Sequence, residues 1–166
     1  MDINFLVIAL AALIPLAVGM IYYNPKVLGN AWMASAGLTE EQLKGANMGL
    51  IFGLTYVFSF LIAFSMQFTV IHQFHMMSVL TDEPGLNDPT SAVGQYYADF
   101  LATYGQHFRT FKHGVFHGVL STLFFIMPVI GINALFERKK FKYIAIHTGF
   151  WAICLGLIGG IISAWA

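Results

Sequence analysis

Charged and apolar positions divide this chain into blocks. Positions 3–25, 45–81, 113–136 and 143–166 contain no Asp, Glu, Lys or Arg; the eight basic and eight acidic side chains all lie outside them. Each block exceeds the about 20 apolar residues that one helical crossing of a bilayer needs. The pattern predicts an all-α fold, a four-helix transmembrane bundle forming a single membrane domain over residues 1–166. Its spans are placed at 3–23, 46–70, 113–136 and 143–165. An extracytoplasmic amphipathic helix is expected in the long loop 82–112, between the second and third spans.

Local signals refine these elements. Pro15 predicts a bend in the first span, which neighbouring helices can tolerate in a membrane, and Asn24-Pro25 ends it. Thr39 with Gln42 is a capping box, with Leu38 and Leu43 at the spacing of a hydrophobic staple. The second helix is therefore expected to start near residue 40. Its block, as one helix, would run about 55 Å against about 30 Å of hydrocarbon. It must protrude or break near 68–75. In loop 82–112, Asp82-Glu83-Pro84-Gly85 and Asp88-Pro89 are turn chemistry. Val93, Tyr96, Tyr97, Phe100, Leu101, Tyr104, Phe108 and Phe111 then recur on one helical stripe, with Thr90 or Ser91 as cap.

Composition fixes the solvent. Hydrophobic residues make up 58% of the chain and mean hydropathy is +0.72, too apolar for an ordinary soluble domain. Net charge is zero, which favours no nucleic-acid partner. The expected partners are the lipid bilayer and a homo-oligomer or larger membrane complex. Met1-Asp2 offers no basic n-region, so the first block reads as a retained span rather than a signal peptide. The single cysteine, Cys154, cannot form an intrachain disulfide.

Basic residues set the expected orientation. Lys26 and Lys44 lie in the first loop and Arg138, Lys139, Lys140 and Lys142 in the third, whereas loop two has only Arg109 and Lys112. The positive-inside tendency puts loops 24–45 and 137–142 in the cytoplasm and both termini outside.

Small residues recur in register. Gly45, Gly49 and Gly53 mark the second helix, Gly114 and Gly118 the third, Gly156 and Gly160 the fourth. Membrane helices associate where such residues let backbones approach. These stripes predict tight internal packing, with one of them free to face a second subunit.

Histidines are the strongest candidates for chemistry. His72 and His75 are spaced i, i+3 at the outer end of helix two; His113 and His117 are spaced i, i+4 at the start of helix three. Each spacing puts two imidazoles on one helical face. Together they could hold Zn, Cu or haem iron. His107 lies just upstream, and Met66, Met76 and Met77 raise a Cu(I) variant. Against this, interfacial histidines often only hydrogen-bond, and methionine is a core filler. His147 enters from the opposite side, where Asn133 is its expected polar contact.

Enzyme signatures are absent. The chain has no Gly-rich phosphate loop, no HExxH and no nucleophile elbow, and apolar neighbours blunt Cys154 as a nucleophile. No charged side chain falls mid-span, which argues against a pump. Thr55, Tyr56, Ser59, Ser65, Ser121 and Thr122 line a weakly polar path or, as the plainer reading, bond backbone carbonyls.

Tyr22-Tyr23-Asn24-Pro25 is followed by Leu28-Gly29-Asn30-Ala31-Trp32 and Gly37-Leu38-Thr39. Asn133-Ala134-Leu135-Phe136-Glu137-Arg138-Lys139 closes helix three, and Gly159-Gly160-Ile161-Ile162-Ser163-Ala164-Trp165 closes helix four. Across nearly its whole length the chain resembles the bacterial membrane-protein family catalogued as domain of unknown function 1761 (DUF1761). The resemblance implies a small four-span protein of the bacterial inner membrane. It brings no established activity, ligand or catalytic residue.

The sequence therefore predicts a non-enzymatic protein with no catalytic residues, acting through helix packing or as a small accessory or assembly subunit. The alternative is a metal- or haem-binding membrane protein, or a metal permease component, using His72, His75, His113 and His117. A third reading is an embedded enzyme acting on lipid or quinone beneath the loop-two helix.

Overall fold

The computed structural model describes residues 3–166. Met1 and Asp2, on which the reading of the first span as retained partly rests, lie outside the described residues. Four helical segments are long and apolar enough to cross a membrane: Phe5–Tyr22, Met48–Val70, Phe111–Phe136 and Phe141–Trp165. All regular structure among the described residues is helical, as the charge-free blocks predict.

The first span is two helices, α1 (Phe5–Ala11) and α2 (Ile14–Tyr22), separated just before Pro15. Proline has no N–H to donate and its ring crowds the carbonyl four residues back, here Ala11. A single-turn π segment at Pro25–Gly29 leads into α3 (Asn30–Ala36), which ends at Gly37 in the left-handed conformation. The predicted capping box then forms: Thr39 and Gln42 bond each other's backbone at the start of α4 (Glu40–Leu43).

The second helix departs from expectation at its start. It does not run on from residue 40. Lys44 is extended, Gly45 has φ +96°, and Asn47 caps a new helix, α5 (Met48–Val70), by accepting from Leu50 N. Gly45 thus sits in a turn, off the stripe of Gly49 and Gly53. Of the two outcomes expected at the other end, protrusion or a break, the break occurs. Ile71 is extended, and α6 (Gln73–Leu80) begins afresh after His72.

Loop two holds the expected amphipathic helix, α7 (Ala92–Tyr104), capped by Ser91, whose hydroxyl accepts from Gly94 N; it ends before Phe108 and Phe111, which the predicted stripe included but which lie outside it. Ahead of it Asp88 accepts from the Thr90 amide and hydroxyl, and these bonds hold its carboxyl below its ordinary value. The third span comprises α8 (Phe111–Ser121), a π segment (Thr122–Ile126) and α9 (Met127–Phe136). The widened turn lies immediately before Pro128, the residue that cannot complete the ordinary ladder. The fourth span is one helix, α10 (Phe141–Trp165).

Helix α10 is the axis of the bundle. Its most apolar window is 44% buried, against 11–22% for the other spans. It packs on α1, α2, α5, α8 and α9. Ile158 and Ile162 are fully buried there with Ile8, Ala63 and Val70. Outward-facing side chains are large and apolar, such as Phe58, Phe124 and Phe125, as lipid requires and water would not favour.

The two ends of the bundle follow from contacts between distant segments. Asn4 donates to Trp165 O, and Arg109 to Ser163 O, at one end. At the other, Lys139 Nζ donates to Ala36 O at 2.5 Å. Loops one and three therefore share an end, and loop two lies opposite.

The closest helix pair is α8 with α10. A Cβ built on Gly114 would fall inside contact distance of Gly159 O, and one on Gly118 inside that of Leu155 O. Gly160 faces the Phe111 ring, and Gly156 meets Val115 and Val119 at ordinary range. By contrast Gly53 has no neighbour within 4 Å. We expect Gly118→Ala to lower stability by about 1–3 kcal/mol through overpacking. Gly53→Ala should be neutral or slightly stabilising, since alanine is the better helix former. Thermal unfolding followed by circular dichroism in mild detergent compares them; a Gly118→Ala protein melting with the wild type would contradict the backbone contact.

Candidate functional site

Three of the four predicted histidines converge. His72, His113 and His117 each offer one ring nitrogen, and these nitrogens lie within 4.8 Å of one another. The shortest approach is His113 Nε2 to His72 Nε2, 2.9 Å. Ring centroids are 5.0 Å apart for His72 with either partner and 4.5 Å for His113 with His117. All three side chains are half-buried. The 2.9 Å contact needs an N–H on one ring and a lone pair on the other, so both imidazoles cannot be charged and keep it.

Backbone geometry explains the convergence. His113 and His117 stand one turn apart on α8, just before Gly114 and Gly118. Successive helical residues are rotated by about 100°, so seating the glycines on α10 turns the histidine stripe towards the end of α5. There the chain leaves its helix at Ile71, and His72 opens the next segment.

His75 does not join this group. It is exposed on α6, its ring 6.1 Å from that of His72. The i, i+3 spacing aligns two residues only within one continuous helix, and the break at Ile71 leaves His72 at the cap, outside α6. His107 is also exposed, stacked edge-on with Tyr104. Met66 is buried in the core and Met77 is exposed on α6. His147 lies on the opposite half of the bundle and meets Tyr23 OH through Nδ1 at 3.3 Å, stacking on Tyr143. Asn133, its expected partner, is exposed on α9.

Residues that the sequence did not assign to the histidine site complete it. Phe108, at φ +62°, lays its ring 5.0 Å from His113 and 6.2 Å from His72. Its carbonyl accepts from Ser163 Oγ. Gln73, almost fully buried, donates through Nε2 to both Tyr104 O and His107 O at 2.9 Å. Arg109 donates to Ser163 O and Ala166 O, occupying carbonyls that the last turn of α10 leaves free; burial pushes its pKa below the ordinary value. A glutamine beside a helix start and an arginine near an amphipathic helix are common in sequences, so neither carried a signal.

One turn deeper lies a cavity of about 430 Å³ between the second and third spans, floored by Leu155 of α10. Its polar groups are Ser65, Thr69 and Ser121. Thr69 precedes the break that ends in His72, and Ser121 is one turn beyond His117. Two of the other expected path hydroxyls, Thr122 and Tyr56, behave as the plainer reading has it. Thr122 Oγ1 donates to Gly118 O, and Tyr56 OH to Ala9 O.

Gln73 is the strap that holds residues 104–107 against the second span. Replacing it with Ala should cost about 1–3 kcal/mol, since two carbonyls lose a donor, and should speed amide exchange across 104–110 while the α8–α10 pair stays protected. Hydrogen exchange read by mass spectrometry measures this; unchanged exchange in that loop would remove Gln73 from the role.

No curated protein and no solved structure matches this chain. The model of a family described as protein of unknown function (DUF1761) matches residues 6–163, nearly the whole bundle, and the chain belongs to that family.

Proposed function

We propose that this four-span membrane protein holds one divalent transition-metal ion, zinc in the first instance, between His72, His113 and His117. The observation that carries the reading is the approach of three ring nitrogens, one from just past the second span and two from the third, to within 4.8 Å of one another. Two nitrogens on a tetrahedral zinc stand about 3.3 Å apart, within reach of these side chains by rotation. Three neutral imidazoles suit zinc, copper and iron. They leave a fourth position for water or a small exogenous ligand. The compactness of the group supports an ion over haem: a macrocycle would have to separate two rings whose nitrogens are now 2.9 Å apart. The basic turn at 138–142 supports an orientation with that turn in the cytoplasm and the imidazoles facing outward, and the family resemblance supports the inner membrane of a bacterium.

Titration of the detergent-solubilised protein with zinc, followed by calorimetry and elemental analysis, tests this. One equivalent should bind. His72→Ala and His117→Ala should each weaken binding by more than the about 10–100-fold that second-shell changes cost, whereas His75→Ala and His107→Ala should leave it intact. Affinity should also fall in acid, because a protonated imidazole has no lone pair to give the metal. Absence of stoichiometric metal, or binding indifferent to the three substitutions, ends the proposal.

A second reading, assembly through helix packing, rests on a separate observation. Gly53 has open space where a side chain would stand, and Gly49 meets only the Asn47 side chain of its own helix cap, at 3.5 Å. This strip of α5 is available to a second copy or a larger complex, as close helix approach in lipid requires. Native mass spectrometry should then show a dimer that Gly53→Leu depletes; a strictly monomeric wild type would exclude it.

A further inference from the structure

The end of the bundle opposite the histidines carries a second site. The turn between the third and fourth spans holds Arg138, Lys139, Lys140 and Lys142 in five positions. It is tight: α9 ends at Glu137, Arg138 takes φ +58°, and Lys139 N bonds back to Ala134 O at 2.8 Å. Across from it stands the end of α3. Lys139 reaches over and donates to Ala36 O, closing the gap between loops one and three. The result is a concave cavity of about 310 Å³ lined by these four cations with Ala34, Ser35 and Gly37. Among the described residues no carboxylate lines it.

Like charges so placed repel, and a general preference for basic loops on one side of a membrane asks only that they be present. It does not ask that they be gathered around one concavity. Lys139 is held by the Ala36 carbonyl, while Arg138, Lys140 and Lys142 are exposed and keep their donors for an outside acceptor. Arg presents a planar fork suited to phosphate oxygens. Flanking the cavity, α10 starts at Lys140 with no side-chain cap, which adds a weak positive field from its first amides. The site also lies at the membrane surface, where the third span ends and the fourth begins.

We propose that this cavity binds a phosphate-bearing anion, through Arg138, Lys140 and Lys142, at the level of the lipid headgroups. An anionic phospholipid supplies that chemistry from the bilayer; free phosphate or a soluble phosphate compound supplies it from the adjoining water. The proposal is independent of the histidine site.

The test uses the full chain in nanodiscs. In discs of mixed phosphatidylglycerol and phosphatidylcholine, native mass spectrometry should find phosphatidylglycerol retained in preference on release. The double variant Arg138→Gln/Lys142→Gln should lose that preference, by about fivefold per charge removed. Lys26→Gln/Lys44→Gln, an equal loss of charge outside the cavity, should retain it. In discs of phosphatidylcholine alone, inorganic phosphate is titrated and followed by phosphorus NMR. Saturable broadening that disappears in the double variant assigns the soluble source instead. Circular dichroism and thermal unfolding of each variant establish that the bundle is intact, and single Arg138→Gln and Lys142→Gln proteins serve if the double variant does not fold. No selective lipid retention and no phosphate binding in the wild type would overturn the proposal, as would binding that survives the cavity substitutions.

Discussion

The contact between α8 and α10 governs the rest of this molecule. Lipid tails solvate Leu and Phe as well as another helix does, so burial alone gives spans little reason to associate. Association has to come from close backbone approach, and here Gly114 and Gly118 lie against the carbonyls of Gly159 and Leu155. That contact sets more than the distance between two helices. It fixes the rotation of α8 about its own axis. His113 and His117 occupy the neighbouring stripe, and with the glycines seated they have one direction left to face.

What they face is a deliberate irregularity. An unbroken second helix would carry His72 on round its surface. The chain instead becomes extended at Ile71, and His72 lies where the two imidazoles of α8 can reach it. Backbone groups released at such a break need partners, because unpaired polar groups are costly in lipid. The break is placed near the end of the span, beneath residues 104–110, where Gln73 and Arg109 tie loop carbonyls and helix end together. The π segment at Thr122–Ile126 plays a comparable part lower down. It widens one turn ahead of Pro128, and Ser121 at its border opens into the cavity shared with Ser65 and Thr69.

Much of this was legible in the sequence because charge avoidance and capping are local. The four spans follow from the uncharged blocks, the break at Ile71 from a block too long for the bilayer, and the Thr39–Gln42 box from a spacing of three residues. What the sequence hid depends on rotation and on where helices stop. His72 and His75 look like a pair until a helix boundary falls between them. Gly45 looks like the first member of a stripe until it takes φ +96° and leaves the helix. Asn133 and His147 look like natural partners at one level of the bundle, yet α9 turns Asn133 outward and Tyr23 takes its place. Phe108 looks like a member of the loop-two stripe until the helix stops at Tyr104 and the residue turns left-handed, a conformation that no glycine marks.

These constraints also distribute contact unevenly across the bundle. The third and fourth spans are joined along their backbones at Gly114 and Gly118. The second span meets the third only near its histidine end; below that the two part around the cavity floored by Leu155. The imidazoles therefore sit at the top of the seam that this cavity opens between the second and third spans. An ion held by His72 on one side and by His113 and His117 on the other would bridge that seam, and its binding free energy would act directly on the separation of the two halves. On the proposed metal reading, occupancy at the mouth would couple to the lateral cavity, whose hydroxyls Ser65, Thr69 and Ser121 lie about one turn beneath.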